Sequence, residues 1–453
     1  MTNRKSTNLK KVFSPKTIVG MFFLILFLGA IAGFLLGRFT GNFKSNTSNF
    51  IGVYPSSTSC LTSGEFAQKV SDNFQTWYST CVVNGGGSGN GNNRDRSGTT
   101  PPGNVPPPSK KILGIWISPD EIKNLPTSSG GWDNVDRMAK SSYKANLKDQ
   151  ISKHPLKVLA MAYKAVRLND DSLKRSTVRE IYSIKGTDSG ARALAIGRNM
   201  MAYVVAADLL NYRPGGYDPF NTATDFVSVL RQIQNKNYSG KTLKSCHAKR
   251  PNNWGTMCGA SRIAIDLYLN DKQDLEDAVK VFKGYLGDKS VYNGFIFNTE
   301  AEHWTCEKFT DKKKKIGLRP VAPPNCFVQG HDMSGAPIDD VQRVEDDGDP
   351  NGFKYPIPDT HYAWGGFSAA VAQAEMLYRA GYTDAYNWQQ KAIWRGMNFL
   401  NNEMPNSDSS PTYWMPWIVN KRYNLKGKNA FPTKPNNAKS SRLIDFTDWT
   451  HAQ

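Results

Sequence analysis

Three places in the chain combine residues able to hold an anion and move a proton. Asn252 and Asn253 stand together ahead of an apolar helical stretch, Arg343 closely follows Asp339 and Asp340, and His361 precedes Tyr362. Side-chain amides donate hydrogen bonds to a carboxylate, and a planar guanidinium does so through two parallel bonds. A phenol or an imidazole can take a proton and return it. His247, His303 and His361 compete for the role of base, and His361 is best placed because Tyr362 is its neighbour. Each residue has a plainer reading. Asn253 equally suits the N-cap of a helix over 254–269, although a helix N terminus also attracts anions. Tyr362 could pack at the start of a helix. Arg343 could pair with Asp340 or Glu345. A lone histidine is more often a packing or surface residue than a catalyst.

Other residues support or compete with this set. Arg192, Asn199 and Tyr203 share one helical face, because spacings of 7 and 4 keep them aligned. On an otherwise apolar helix they line a cleft or form a buried hydrogen-bonded cluster. Asp339 and Glu345 offer a pair of carboxylates. Lys312 to Lys315 is a charge run, read as solvated first and as attractive to a polyanion second. Lysine and arginine exceed aspartate and glutamate by 57 to 39, a formal charge of +18. That surplus concentrates polyanions around the protein. No phosphate loop, HExxH or Gly-x-Ser-x-Gly occurs, and no nucleic-acid module or cofactor motif is present. The six cysteines lack CxxC spacing, which disfavours a metal site.

Helices must position these groups. Asp133 caps a candidate running to about Ser152, and Pro155 opens another with Leu156, Leu159, Ala160, Tyr163 and Val166 at helical spacing. Further candidates cover 173–184, 191–212, 222–236, 254–269, 274–286, 365–380 and 386–403. The stretch 191–212 is apolar on almost every side, as an inner helix should be. Short connections favour antiparallel neighbours. The Pro-, Gly- and Asp-rich stretch 287–364 reads as a long irregular excursion. The tail 405–453 reads as irregular, with aromatic residues that pack onto the domain.

Ahead of this domain, at 111–453, four regions are expected. Residues 1–16 form a basic tail. Thr17 to Gly37 has no charge, and its 21 or so residues suffice to span a hydrocarbon core of about 30 Å as a helix. Residues 38–83 form a stalk, and the Gly-, Asn- and Pro-rich 84–110 a flexible linker. Basic residues before the apolar segment predict a cytoplasmic N terminus and an extracytoplasmic domain in a single-pass membrane protein. A cleaved signal peptide is the rival reading, but Gly37-Arg38-Phe39-Thr40 makes a poor cleavage site. All six cysteines lie beyond the segment, as export requires, and sequence proximity pairs Cys60 with Cys81, Cys246 with Cys258 and Cys306 with Cys326.

Several motifs in order resemble the bacterial alginate-lyase-like proteins. They are Trp116-Ile117-Ser118-Pro119 with Gly131-Trp132; Ala193 to Asn199 with Tyr203 and Asp208; Asn252-Asn253-Trp254-Gly255 with Gly259 and Arg262; Asp339-Asp340-Val341-Gln342-Arg343; His361-Tyr362-Ala363-Trp364; and Gln373 to Leu377 with Gly381-Tyr382. The resemblance covers most of 112–450. It implies an all-α fold, an (α/α) toroid or incomplete barrel of helical hairpins, and a uronate-containing polysaccharide cleaved by β-elimination. That reaction needs a donor to neutralise the carboxylate, a base for the C5 proton and an acid for the departing O4. Asn253, aided by Asn252, suits the first task, Tyr362 the acid role and also the base, with His361 and Arg343 beside them. Arg262, Arg192, Asn199 and Tyr203 are candidate substrate contacts. Trp254, Trp304 and Trp364 could stack on sugar rings or pack in the core. Trp254 stands where well-studied members carry a catalytic histidine, and Arg343 and Tyr362 are more widely spaced than their counterparts. A glycan-binding protein without activity, or a hydrolase using Asp339 and Glu345, are therefore the alternatives.

Overall fold

A computed structural model describes residues 114–343, 352–358, 361–405, 412–438 and 442–452, all within a compact unit spanning Pro102–Gln453. The expected tail, membrane helix, stalk and linker, and the Cys60–Cys81 pair, lie outside the described residues. Among the described residues no helix is long and apolar enough to cross a membrane.

The described chain is all-α apart from two-residue strands at Phe327–Val328 and His331–Asp332. Local signals start and stop the helices. Ser118 and Glu121 form a reciprocal capping box on α1 (Pro119–Lys123), and Ser129 caps α2 (Gly130–Ala139). In α3 (His154–Leu168) Pro155 occupies the first turn, where its missing N–H costs nothing. Asn169 ends α3 in the left-handed conformation, and Asp170 immediately caps α4 (Asp171–Tyr182). The same device recurs later. Asn270 ends α8 (Asn253–Leu269) left-handed, and Asp271 caps α9 (Lys272–Tyr285). Asparagine tolerates that backbone better than most residues, so two residues suffice to reverse the chain.

Between these hairpins lie α5 (Ala193–Leu209), α6 (Ala223–Asn235) and α7 (Leu243–Lys249). A short α10 (Ile338–Val341) precedes α11 (His361–Arg379), α12 (Trp388–Glu403), α13 (Met415–Tyr423) and α14 (Thr447–Thr450). Helices α3, α5, α8 and α11 touch one another in series, while α4, α6, α7, α9 and α12 pack against members of that series. The four inner helices are buried on most faces, matching their nearly continuous apolar sequence. Gly197 lets α5 and α8 approach closely: a Cβ there would meet the backbone of Cys258 at 2.8 Å. Ser261 links the same pair, donating to the Gly197 carbonyl at 2.8 Å and accepting from the Met201 N–H at 3.0 Å. The tail returns to the first helices: Trp449 packs at a tilt on Trp132 and donates to the Pro126 carbonyl at 2.7 Å.

Three expectations change. The helix expected from Asp133 to Ser152 stops at Ala139, because 140–152 is polar and is held as a loop by distant side chains described below. The helix expected from 365 already begins at His361. The tail contains helices α13 and α14 rather than being wholly irregular. Disulfides join Cys246 to Cys258 and Cys306 to Cys326. The first ties α7 to α8, and the second closes a loop that ends just before the two short strands.

Candidate functional site

The first turns of α8 and α11 meet the short helix α10. Asn252 caps α8 by accepting from the Trp254 N–H at 3.1 Å, and its own amide donates to Asp339 at 2.7 Å. Asp339 also accepts from the Asn298 backbone at 2.9 Å, and Arg343 lies 3.5 Å from it. Asp339 thus fixes Asn252, Arg343 and the Asn298 loop relative to one another.

Next to it, the Asp340 carboxyl is buried between α8 and α11. A Cβ on Gly366 would stand 2.2 Å from Asp340 and 3.1 Å from the Asn253 backbone, so only glycine lets α11 close over this carboxyl. Burial pushes Asp340 well above the usual carboxylate range, while Arg343, the Asn253 backbone N–H and Arg198 work against the shift. Asn253 is itself buried, and its side-chain oxygen has no hydrogen-bond partner among the described residues. An unsatisfied buried acceptor of this kind calls for an explanation, and a ligand hydroxyl that donates to it is one.

Two arginines lie near Tyr362. The Arg343 guanidinium lies 5.2 Å from the centre of its ring. Arg198, on the second turn of α5, faces Tyr362 and Asp340 closely enough for both to act on its charge. Burial, then the neighbouring charge of Arg442, bring Arg198 down to about 10. Its Nε is buried without a hydrogen-bond partner among the described residues. Arg442 in turn faces Lys153, the residue preceding α3. Anchored amides, a half-buried cation and a partly exposed phenol can hold an anionic group and exchange a proton beside it.

Asn253, Asn252, Arg343 and Tyr362 are therefore brought together, with His361 exposed at the start of α11. The other candidates are engaged elsewhere. Arg262 is buried in a two-pronged pair with Asp274, at 3.0 and 2.8 Å. Tyr203 is buried and bonded to His154 at 2.6 Å, and His154 in turn to Glu180 at 2.7 Å. Asn199 donates to the backbone of Asp149 at 2.9 Å. Tyr203 and Asn199 take the buried hydrogen-bonding alternative. Trp364 is buried and donates to the Met404 carbonyl at 2.7 Å, Trp304 packs on Phe353, and Trp254 is partly buried against the core. Arg192 is exposed just before α5. His247 is buried under Gly259, and burial holds it well below the usual imidazole range. His303 lies in the loop near Glu300. Lys312 and Lys314 pair with Glu302 and Asp311. Glu345, half of the carboxylate pair weighed for hydrolysis, lies outside the described residues.

Sequence reasoning assigned no role to Arg198, Arg442 or Lys153. A charged residue inside the otherwise apolar α5 is a readable signal for Arg198. Arg442 and Lys153 carry none, because only the fold brings them near. Among the described residues, no group of three or more His, Cys, Asp or Glu is arranged to hold a metal ion. Compared with known proteins, the chain matches no family model, no curated protein and no solved structure.

Proposed function

We propose that the chain is a polysaccharide lyase that cleaves a uronate-bearing polymer by β-elimination on an (α/α) toroid. One observation carries the reading: Asn253 and Tyr362, at the first turns of α8 and α11, lie near Arg343 after α10 and Arg198 on α5. Asn253 and Arg198 would take the uronate carboxylate, spreading the charge that develops when C5 loses its proton. Tyr362 as phenolate would remove that proton, with Arg343 and Arg198 near enough to stabilise the charge it carries in this form. The C5–H electron pair becomes the C4–C5 double bond, the C4–O4 bond breaks, and the proton on Tyr362 passes to O4. The proton count closes on one residue, so no histidine is needed. In the same proposal the domain is extracytoplasmic, tethered by the apolar segment 17–37, and meets its acidic polysaccharide there.

Incubation with alginate, heparinoids and glucuronan tests this. A lyase generates a conjugated uronate end that absorbs in the ultraviolet, whereas a hydrolase generates reducing ends without that absorbance. Trp254, at the position that the resemblance gives to a histidine, favours a second reading: a protein that binds the polymer without cleaving it. Saturable binding with neither product would support that reading and remove the first.

A further inference from the structure

A second basic feature adjoins the candidate site. The loop 140–153 and the turn at 186–189 enclose a cleft of about 700 Å³. Lys144, Lys148 and Lys153 line it against a single acidic lining residue, Asp149, so its lining carries 3 − 1 = +2 formal charges. Tyr143 and Ile151 line it as well and are 38% and 58% exposed, leaving apolar surface open beside the cations. No ion pair engages Lys144 or Lys148 among the described residues.

The cleft is built rather than incidental. Asn199, from the inner helix α5, donates to the carbonyls of Leu147 and Asp149 at 3.4 and 2.9 Å. The Leu147 N–H donates to the Thr187 hydroxyl at 3.3 Å, joining the two walls, and Lys157 donates to the Tyr143 carbonyl at 3.2 Å. A polar loop tied in this way holds its lysines outward at fixed places, which reduces the ordering cost of binding. The charge of Arg442 acts on both the cleft and the candidate site. Lys153 lines the cleft and faces Arg442, which faces Arg198. Burial, then Arg442, bring Lys153 down to about 8, with Asp445 and Asp149 opposing.

We infer that the cleft between residues 143–153 and 186–189 is a separate binding subsite for a polyanionic glycan, with Lys144 and Lys148 taking acidic groups and Tyr143 offering a ring face to a sugar. The occupant is the same polymer that the proposed function assigns to the Asn253–Tyr362 centre, so the inference rests on that reading. A strand long enough to reach this cleft from the reacting unit would occupy both. Long substrates then gain affinity that short ones do not.

The test compares the full chain with Lys144→Gln/Lys148→Gln, and separately with Tyr143→Ala. Binding of polymeric alginate is measured by titration at several salt concentrations, beside a uronate trisaccharide and a neutral glucan. The double variant should bind the polymer about tenfold more weakly, with a shallower salt dependence, because two surface cations are lost. Trisaccharide cleavage should not change, and the neutral glucan should bind neither protein. Equal polymer affinity and equal salt dependence in wild type and double variant would overturn the subsite. Wild-type binding that weakens in the variant, without any cleavage, would keep the subsite and remove the lyase reading. A wild-type chain that binds no polyuronate would remove both.

Discussion

The guanidinium of Arg343 lies 5.2 Å from the centre of the Tyr362 ring and 3.5 Å from Asp339. The arginine therefore couples the first turn of α11 to the cap of α8, since Asp339 also accepts from Asn252. It fixes the phenol relative to Asn253 without covering it, because Tyr362 keeps part of its surface exposed.

Tyr362→Phe keeps the ring and its contact with Arg343 and deletes only the hydroxyl. If that hydroxyl moves the proton, kcat on polyuronate should fall by about 10²–10⁴, the usual contribution of a positioned acid–base group. KM and polymer binding should stay near wild type. Initial rates followed by ultraviolet absorbance check this, and full turnover in the variant would eliminate the role.

The neighbouring asparagines should separate cleanly. Asn253→Asp turns the amide proposed to face the substrate's carboxylate into a like charge, next to the already buried Asp340, so binding and turnover should both collapse. Asn252→Ala instead removes the cap of α8 and one donor to Asp339. Its cost should be a stability loss of about 1–3 kcal/mol, measured by urea unfolding. If Asn252→Ala left stability unchanged and abolished turnover, the division of labour would be reversed.

How far the sequence discloses this arrangement depends on what kind of force makes each part. Helices α5 and α8 are legible because they are buried almost all round and nothing in their sequence breaks the pattern. The Asn169-Asp170 and Asn270-Asp271 reversals are legible in principle from residue type, since an asparagine that tolerates the left-handed backbone meets a preferred cap. The loop after Ala139 is not legible. Its conformation is held by Asn199, about 50 residues on, and by Thr187. Residue type also fails to say which side of an inner helix a polar group faces. Arg198 borders the site, yet its neighbour Asn199 ties down the loop and Tyr203 meets His154 in the interior. One step along a helix turns a side chain by roughly 100°, so periodicity reports burial without reporting what lies there.

Arg262 makes a stability prediction distinct from catalysis. Its guanidinium pairs with Asp274, to which Gln234 and Lys244 also donate, while Asp266 lies nearby. Arg262→Ala leaves Asp274 and Asp266 without their principal countercharge in a buried setting. Breaking such a pair costs about 3–5 kcal/mol. Replacing both partners with apolar residues, as in Arg262→Met/Asp274→Leu, should recover much of that loss. A single variant as stable as wild type would show that water reaches the pair.

Acid should weaken the fold before Glu375 titrates. Burial is the main cause that holds His154, His247 and His451 below the usual imidazole range, with Glu180 and Glu375 opposing it for the first and last. A group whose folded pKa is depressed binds its proton more readily in the unfolded chain. Stability from these histidines is therefore complete above about pH 6.5, the unfolded value, and declines as pH falls from there toward the folded values. Glu375 adds a second, lower window. Burial would raise its pKa, but Arg422 and His451 outweigh that and hold it below the usual range, so its contribution is lost only as pH falls below about 4.3. Calorimetry at pH 7.5, 5.5 and 4 should give a Tm that drops at each step. The drop between 7.5 and 5.5 should shrink in His451→Gln, which keeps a hydrogen-bonding side chain but cannot titrate. A flat Tm from pH 7.5 to 5.5 would mean that these imidazoles are protonated as easily in the folded protein as in water.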